Sequence, residues 1–363
     1  MKVLVAGGGT GGHVYPALAI MEGLRRHSTL GTPEVAYIGT KRGLENRVIP
    51  EYPWIKFFKI RARGFDRKNF WRCLLAAFDL PIGLLQTLFI LLKFRPQVII
   101  GVGGYAAFAP ALWGIFLRIP TVIHEQNIKP GLVNRLLARR VTKVCVTYPE
   151  TARALKRAKS VTVTGLPVRP SLFEARPNYA QFGLEQDRAT LFVVGGSRGS
   201  EFLTRTLVAA YPKLNGTQVL LITGPQSYPA GEPSHRGNGR GRLVQIPYVE
   251  DMGAALAVAD LVICRAGATT LAELAAVGKP AILIPWPGSA ENHQYENARA
   301  LAESGGCLLA QESELNADKL AELVSQLLGS QTKLNEMKSR MSSVGRKAAL
   351  DHILREVELL VHA

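Results

Sequence analysis

Twice in this chain a short apolar run stops on a cluster of glycines and gives way to a helical pattern. Val3-Leu4-Val5-Ala6 meets Gly7-Gly8-Gly9-Thr10-Gly11-Gly12-His13, and Val14 to Ile20 then follow at helical spacing. Thr190-Leu191-Phe192-Val193-Val194 meets Gly195-Gly196-Ser197-Arg198-Gly199-Ser200. Strand, glycine turn and helix form the repeating unit of a parallel sheet covered by helices. Apolar runs predict strands at 2–6, 34–39, 55–59, 97–101, 120–124, 143–147 and 161–164. The second series is 190–194, 217–223, 243–246, 260–264, 280–284 and 306–309. Breakers at Gly165-Leu166-Pro167-Val168-Arg169-Pro170 separate the two series as a hinge would. Residues 229–242 read as a mobile surface loop, and the chain after 316 reads as helix to its end. The fold class is therefore α/β, two doubly wound domains, and 363 residues suffice for two cores.

A glycine turn at a helix N-terminus aims backbone N–H groups and the positive helix end at an anion. Gly7, Gly9 and Gly12 also fit the dinucleotide spacing, which needs an acid at the end of the second strand for the ribose. That strand, Val35-Ala36-Tyr37-Ile38, ends on Gly39-Thr40, so a phosphate site is favoured and a nicotinamide site is not. A second turn, Gly101-Val102-Gly103-Gly104-Tyr105, opens another helix, and the pair suits a diphosphate. Charge agrees: residues 1–170 hold 26 Lys and Arg against 8 Asp and Glu, while 171–363 hold 18 against 20. The first half thus faces something anionic. Cys73, Cys145, Cys264 and Cys307 lack metal or redox spacing, which points to a reducing cytosol. The first residues enter a buried-type strand at once, so no secretory leader is expected.

Residues 70–94 are nearly long enough to span a bilayer, but Asp79 and Pro81 interrupt them and predict two short helices. One carries Trp71, Leu74, Leu75 and Phe78 on one face, just after Arg61, Arg63, Arg67, Lys68 and Arg72. Such a face is ordinarily core; basic residues beside it favour an interfacial membrane contact instead.

Val122-Ile123-His124-Glu125-Gln126-Asn127 ends a strand on four polar residues, where α/β sheets meet ligands. Cys264-Arg265-Ala266-Gly267-Ala268-Thr269-Thr270-Leu271-Ala272-Glu273 repeats strand, small-residue turn and helix. Thr269 or Thr270 can cap that helix, whose N–H groups suit a nucleotide phosphate. Glu273, one turn in, can take both ribose hydroxyls or serve a capping box. Pro285-Trp286-Pro287-Gly288-Ser289-Ala290-Glu291-Asn292-His293-Gln294 carries groups typical of sugar recognition. No Asp-x-Asp occurs to clamp a metal on a diphosphate, so no metal or cofactor is expected.

In this order, Gly8–His13, Gly103-Gly104-Tyr105, His124–Asn127, Gly195-Gly196-Ser197 and Arg265–Thr270 resemble the MurG family of bacterial peptidoglycan glycosyltransferases. Those enzymes add N-acetylglucosamine to lipid I to make lipid II. The resemblance runs from residue 4 to about 300 and implies a GT-B fold of two Rossmann-like domains facing a cleft. It implies an acceptor and membrane-binding domain at 1–167, a UDP-sugar domain at 168–346, and a C-terminal helix of about 347–363 packing back on the first. Thr10, Gly11, Gly12 and Asn127 would line the sugar side. Arg169 and Ser197 would contact the donor diphosphate, and the backbone of Val249 would read the uracil. Ala268, Thr269, Thr270, Leu271, Ala272 and Glu273 would hold phosphate and ribose, and Gln294 the sugar hydroxyls. Gly9, Gly103, Gly104 and Tyr105 would receive the acceptor diphosphate. Arg198, Ser200 and His293 depart from the family's Gln, Ala and Gln.

Family chemistry is an inverting transfer from UDP-N-acetylglucosamine to the muramoyl C4 hydroxyl, giving a β-1,4 linkage. This needs a base and stabilisation of the leaving diphosphate. His13 is the first candidate base, because the helix dipole there favours a neutral ring; Glu125 is the second. Expected partners are UDP-N-acetylglucosamine, lipid I, the anionic inner membrane surface and other cell-wall proteins, at the cytoplasmic face of the cell membrane. Rival readings are a glycolipid synthase using diacylglycerol, a UDP-sugar epimerase and a basic nucleic-acid binder. The last lacks interleaved aromatics and any groove-reading motif.

Overall fold

The computed structural model describes residues 1–27, 31–64, 70–224, 234–237 and 241–362. They form two compact units, Met1–Arg169 with Lys347–Ala363, and Pro170–Arg346. In unit 1 the strands are β1 (Lys2–Ala6), β2 (Glu34–Thr40), β3 (Ile55–Ile60), β4 (Val98–Gly101), β5 (Thr121–Glu125), β6 (Lys143–Val146) and β7 (Val161–Val163). All pair in parallel, in the order β3-β2-β1-β4-β5-β6-β7. Unit 2 holds β8 (Thr190–Val194), β9 (Gln218–Ile222), β10 (Ser234–Gly237), β11 (Arg242–Ile246), β12 (Leu261–Cys264), β13 (Ala281–Leu283) and β14 (Cys307–Leu309). Their order is β10-β11-β9-β8-β12-β13-β14, with β10 alone antiparallel.

Every expected strand forms, each end within one residue of its expected place. The addition is β10, inside the stretch read as a loop. Its residues have no apolar alternation, and edge pairing with β11 creates the strand. The rest of 229–240 lies outside the described residues.

Buried parallel strands face helices on both sides, so their residues divide by parity. Val3 and Val5 join the helix α1 (Gly11–His27) and the C-terminal helix Ala349–His362, through Leu350, Ile353, Leu354 and Val357. Leu4 and Ala6 join Ile99, Leu91 and Phe94 on the other face. Strand order reverses between β1 and β4, and again between β8 and β12. The turns that leave those strands therefore meet in pairs at the carboxyl edges, where ligands bind in such sheets.

After the short helix α2 (Glu45–Val48), Phe70–Phe94 forms one continuous helix, α3, and not the two expected. Pro81 removes a single backbone hydrogen bond without ending the helix. Asp79 is no interruption either, because Arg61 and Arg63 pair with it, the Arg63 contact at 2.5 Å. A Cβ on Gly83 would collide with the Arg61 carbonyl, so glycine there lets the chain after β3 lie against the helix. Gln86 Oε1 accepts the Arg61 N–H at 2.8 Å. Trp113, on the helix α4 (Phe108–Phe116), donates its indole N–H to the Leu84 carbonyl at 2.9 Å. Ala76, Asp79, Gly83, Thr87, Leu91 and Phe94 make the inner face. Trp71, Leu74, Leu75 and Phe78 are exposed, Trp71 by 71% and Phe78 by 68%. The stripe continues through Ile82, Leu85, Phe89 and Leu92.

Candidate functional site

In unit 1 the turns after β1 and β4 pack on each other. The Val102 N–H donates to the Ala6 carbonyl at 2.8 Å, extending the ladder into the second turn. Gly103 and Gly104 then take φ of +94° and +75°. A Cβ on Gly103 would stand 2.8 Å from His13 Nδ1, and one on Gly104 2.5 Å from the Gly8 carbonyl oxygen. Only glycines allow that approach and that backbone.

His13 lies in the first turn of α1, with Nδ1 3.1 Å from the Val102 carbonyl oxygen. A carbonyl only accepts, so the neutral ring carries its proton on Nδ1 and its lone pair on Nε2. The same carbonyl accepts from Gln126 Nε2 at 2.7 Å. Gln126 Oε1 is buried, has no partner among the described residues, and lies 3.2 Å from the position a Gly103 Cβ would take. Thr10 and Gly9 are exposed on the turn, Gly11 and Gly12 half-buried, and Tyr105 is exposed beyond the second turn.

Glu125 is built differently from a base. Oε1 accepts from Asn127 N (3.0 Å) and Nδ2 (3.2 Å), and Oε2 from Gly131 N (2.8 Å) and Asn134 Nδ2 (2.8 Å). Four donors fill the lone-pair sites of a carboxylate. The arrangement suits an anchor for residues 127–134, including the start of the helix α5 (Leu132–Leu137), rather than a proton acceptor.

His124 is fully buried; Nε2 donates to the Gly165 carbonyl at 2.8 Å, and burial holds its pKa below the ordinary value. The unfolded chain therefore takes a proton on this residue at a higher pH than the folded one. Stability supplied by the neutral ring is present above the ordinary value, about 6.5, and is lost as pH falls toward the folded one. Thermal melts between pH 7 and pH 5 are expected to fall less steeply for His124→Gln than for the parent; equal slopes would contradict this. Arg169 closes unit 1 with its guanidinium 4.6 Å over the Tyr15 ring.

In unit 2 the turns after β8 and β12 meet in the same way. Ser197 and Arg198 are exposed on the first, and Ser200 caps the helix Glu201–Ala210 by accepting the Leu203 N–H at 3.3 Å. Arg265, read from sequence only as part of its turn, is the hub. It donates to Ser200 Oγ (2.7 Å) and to the carbonyls of Ile284 (3.2 Å) and Pro285 (3.3 Å), and it pairs with Glu312. One buried guanidinium thus ties both turns to the 285–294 loop.

The helix Ala268–Val277 starts after Gly267, so neither Thr269 nor Thr270 is its N-cap. Ala268, Thr269, Thr270 and Leu271 form its first turn, where N–H groups point outward. Ala272 and Glu273 follow, too far in for a capping box, which removes that reading of Glu273. Gln294 Oε1 accepts the Trp286 N–H at 2.9 Å and so closes the sugar-type loop on itself. Val249 lines a cavity of about 420 Å³ with Phe182, Val244, Ile246, Tyr248 and Asp251. Burial raises the thiol pKa of Cys145 and Cys307 to about 12, so these cysteines are packing groups.

The glycosyltransferase family 28 N-terminal domain matches residues 3–146, and the family 28 C-terminal domain matches residues 190–353. A UDP-N-acetylglucosamine--N-acetylmuramyl-(pentapeptide) pyrophosphoryl-undecaprenol N-acetylglucosamine transferase of Desulforamulus reducens is 38% identical, over 99% of each chain. The enzyme of that name from Syntrophotalea carbinolica is 41% identical over 98% of each. The crystal structure of Acinetobacter baumannii MurG aligns with a TM-score of 0.75 at 26% identity, covering 98% of this chain and 99% of that one. With two parallel sheets of this order and turns paired at both switch points, the chain is a GT-B protein of glycosyltransferase family 28 and belongs to its MurG family.

Proposed function

We propose that this chain transfers N-acetylglucosamine from UDP-N-acetylglucosamine to the muramoyl C4 hydroxyl of lipid I, giving lipid II. The observation that carries the reading is His13, seated between two interlocked glycine turns with Nδ1 against the Val102 carbonyl, which leaves the lone pair of a neutral ring on Nε2. In the transfer, Nε2 takes the hydroxyl proton as that oxygen bonds to the anomeric carbon and the carbon–oxygen bond to UDP breaks. Inversion at carbon follows from attack opposite the leaving group. Unit 2 holds the donor: the uracil at the Val249 backbone, phosphate and ribose at Ala268 to Glu273, the diphosphate at Ser197, and the sugar hydroxyls at Gln294. Arg169 adds charge to the diphosphate, and Asn127, Thr10, Gly11 and Gly12 support the sugar. Tyr105 and the Gly103-Gly104 turn receive the acceptor diphosphate.

The test offers UDP-N-acetylglucosamine with lipid I or with diacylglycerol. Lipid I-dependent UDP release, with none from diacylglycerol, is expected; the reverse would establish the glycolipid-synthase reading.

We also propose that the enzyme works on the anionic inner surface of the membrane. Cys73–Phe94 is long and apolar enough to cross a membrane by length and composition. Its inner face, however, is packed on unit 1 by Leu91 and Phe94, which favours a helix lying on the surface. The outward stripe from Trp71 to Leu92 runs about 32 Å at 1.5 Å per residue. Replacing Trp71 and Phe78 together by glutamate is expected to weaken binding to phosphatidylglycerol vesicles about tenfold or more. Turnover of a short-chain soluble acceptor should stay within about twofold, and unchanged vesicle binding would contradict the proposal.

A further inference from the structure

The segment between β2 and α2 is folded around one carboxylate. Glu45, the first residue of α2, is 0% exposed. Its Oε1 accepts the backbone N–H and the hydroxyl of Thr40, each at 2.8 Å, and its Oε2 accepts the Gly9 N–H at 2.9 Å. Asn46 Nδ2 closes the segment by donating to the Thr40 carbonyl at 2.7 Å. A Cβ on Gly8 would stand 2.5 Å from Oε1, so the carboxylate lies directly against the first glycine turn. Tyr37 grips the turn from its other end by donating to the Gly7 carbonyl at 2.9 Å. Hydrogen bonds to a buried carboxylate are strong, and losing one partner leaves an unsatisfied group.

An anion-binding turn points its N–H groups at the ligand. Here the Gly9 N–H points at Glu45, and a buried negative charge behind the turn repels a phosphate. We propose that Glu45 is a positioning residue for the transfer. It fixes the first glycine turn in the form that offers His13 and Thr10 to a neutral sugar hydroxyl, and it leaves the diphosphate to the Gly103-Gly104-Tyr105 turn. This rests on the reading of His13 and the paired turns given above, and it withdraws Gly9 from the diphosphate site.

The experiment uses Glu45→Gln in the full chain. The side chain keeps its shape, but its amide must present N–H groups either to Gly9 or to Thr40. Steady-state kinetics with lipid I at saturating UDP-N-acetylglucosamine are expected to show kcat lowered about 30–100-fold and the lipid I KM changed less than about threefold. UDP binding should be unchanged and hydrogen exchange over residues 7–14 faster. Thr40→Val, which keeps the bond to Gly9, should retain kcat within about threefold. Retained kcat in Glu45→Gln overturns the proposal. So does a raised lipid I KM at normal kcat, which would return the turn to anion binding.

If the glutamine variant fails to fold, Glu45→Asp withdraws the charge by one methylene and should show the same kcat loss; normal kcat there overturns the proposal too. His13→Ala, run alongside, separates the two readings. Normal turnover in His13→Ala with loss in Glu45→Gln removes His13 as base and upholds Glu45 as the holder of the turn. Loss in His13→Ala with normal turnover in Glu45→Gln overturns Glu45 alone.

Discussion

Replacing His13 by alanine is expected to lower transfer about 10²–10⁴-fold, the range for a lost general base. The protein should fold normally, because the Val102 carbonyl that holds the imidazole keeps its bond from Gln126 at 2.7 Å. UDP binding should survive, since every group proposed to hold the nucleotide except Arg169 lies in unit 2. The loss should fall on kcat, because proton transfer belongs to the transition state and not to the bound ground state. Glu125→Gln offers a contrast. It breaks an anchor with four donors, so its effect should include a lower melting temperature, which His13→Ala should not show. Near-normal turnover in His13→Ala would remove His13 as the base.

Gly104→Ala is expected to do comparable damage by a different route. Gly104 has φ +75° and ψ 169°, a region reserved for glycine, where a side chain costs about 1–3 kcal/mol. The new Cβ would also stand 2.5 Å from the Gly8 carbonyl oxygen, a backbone atom that cannot swing away. One turn must move off the other, and a shift of about 1 Å in a reacting group can lower a rate by about 100-fold. Gly216→Ala is the control: its φ is +74°, but nothing lies within 4 Å of a Cβ there. It should lower the melting temperature while leaving kcat within about twofold, whereas Gly104→Ala should lower both. Normal kcat in Gly104→Ala would mean that the paired turns are not the working site.

The strands and both pairs of glycine turns were legible in the sequence because buried parallel strands are uninterrupted apolar runs and their turns need glycine. Partnerships between distant residues were not. Asp79 and Pro81 look like the end of a helix until Arg61 and Arg63 are seen beside Asp79 and Gly83 is seen against the Arg61 backbone. β10 exists only through its pairing with β11, so nothing in Ser234–Gly237 announces it. Glu125 resembles a candidate base in its tract, and only the donors from residues 127, 131 and 134 identify it as an anchor. Thr269 and Thr270 resemble caps because their side chains suit a helix that begins two or three residues later than this one does. Glu45 lies 36 positions from the glycine it holds. Its one sequence signal is an acid among Gly39, Thr40 and Gly43 where a strand leads into a helix.

On the proposed mechanism, His13 and the paired turns direct a single inverting displacement at the anomeric carbon. Proton NMR of the sugar joined to lipid I from α-linked UDP-N-acetylglucosamine tests it most directly. A β linkage to the muramoyl C4 oxygen is expected, formed about 10²–10⁴-fold more slowly in His13→Ala than in wild type; an α linkage, or the same β product at undiminished rate without His13, would rule out this role.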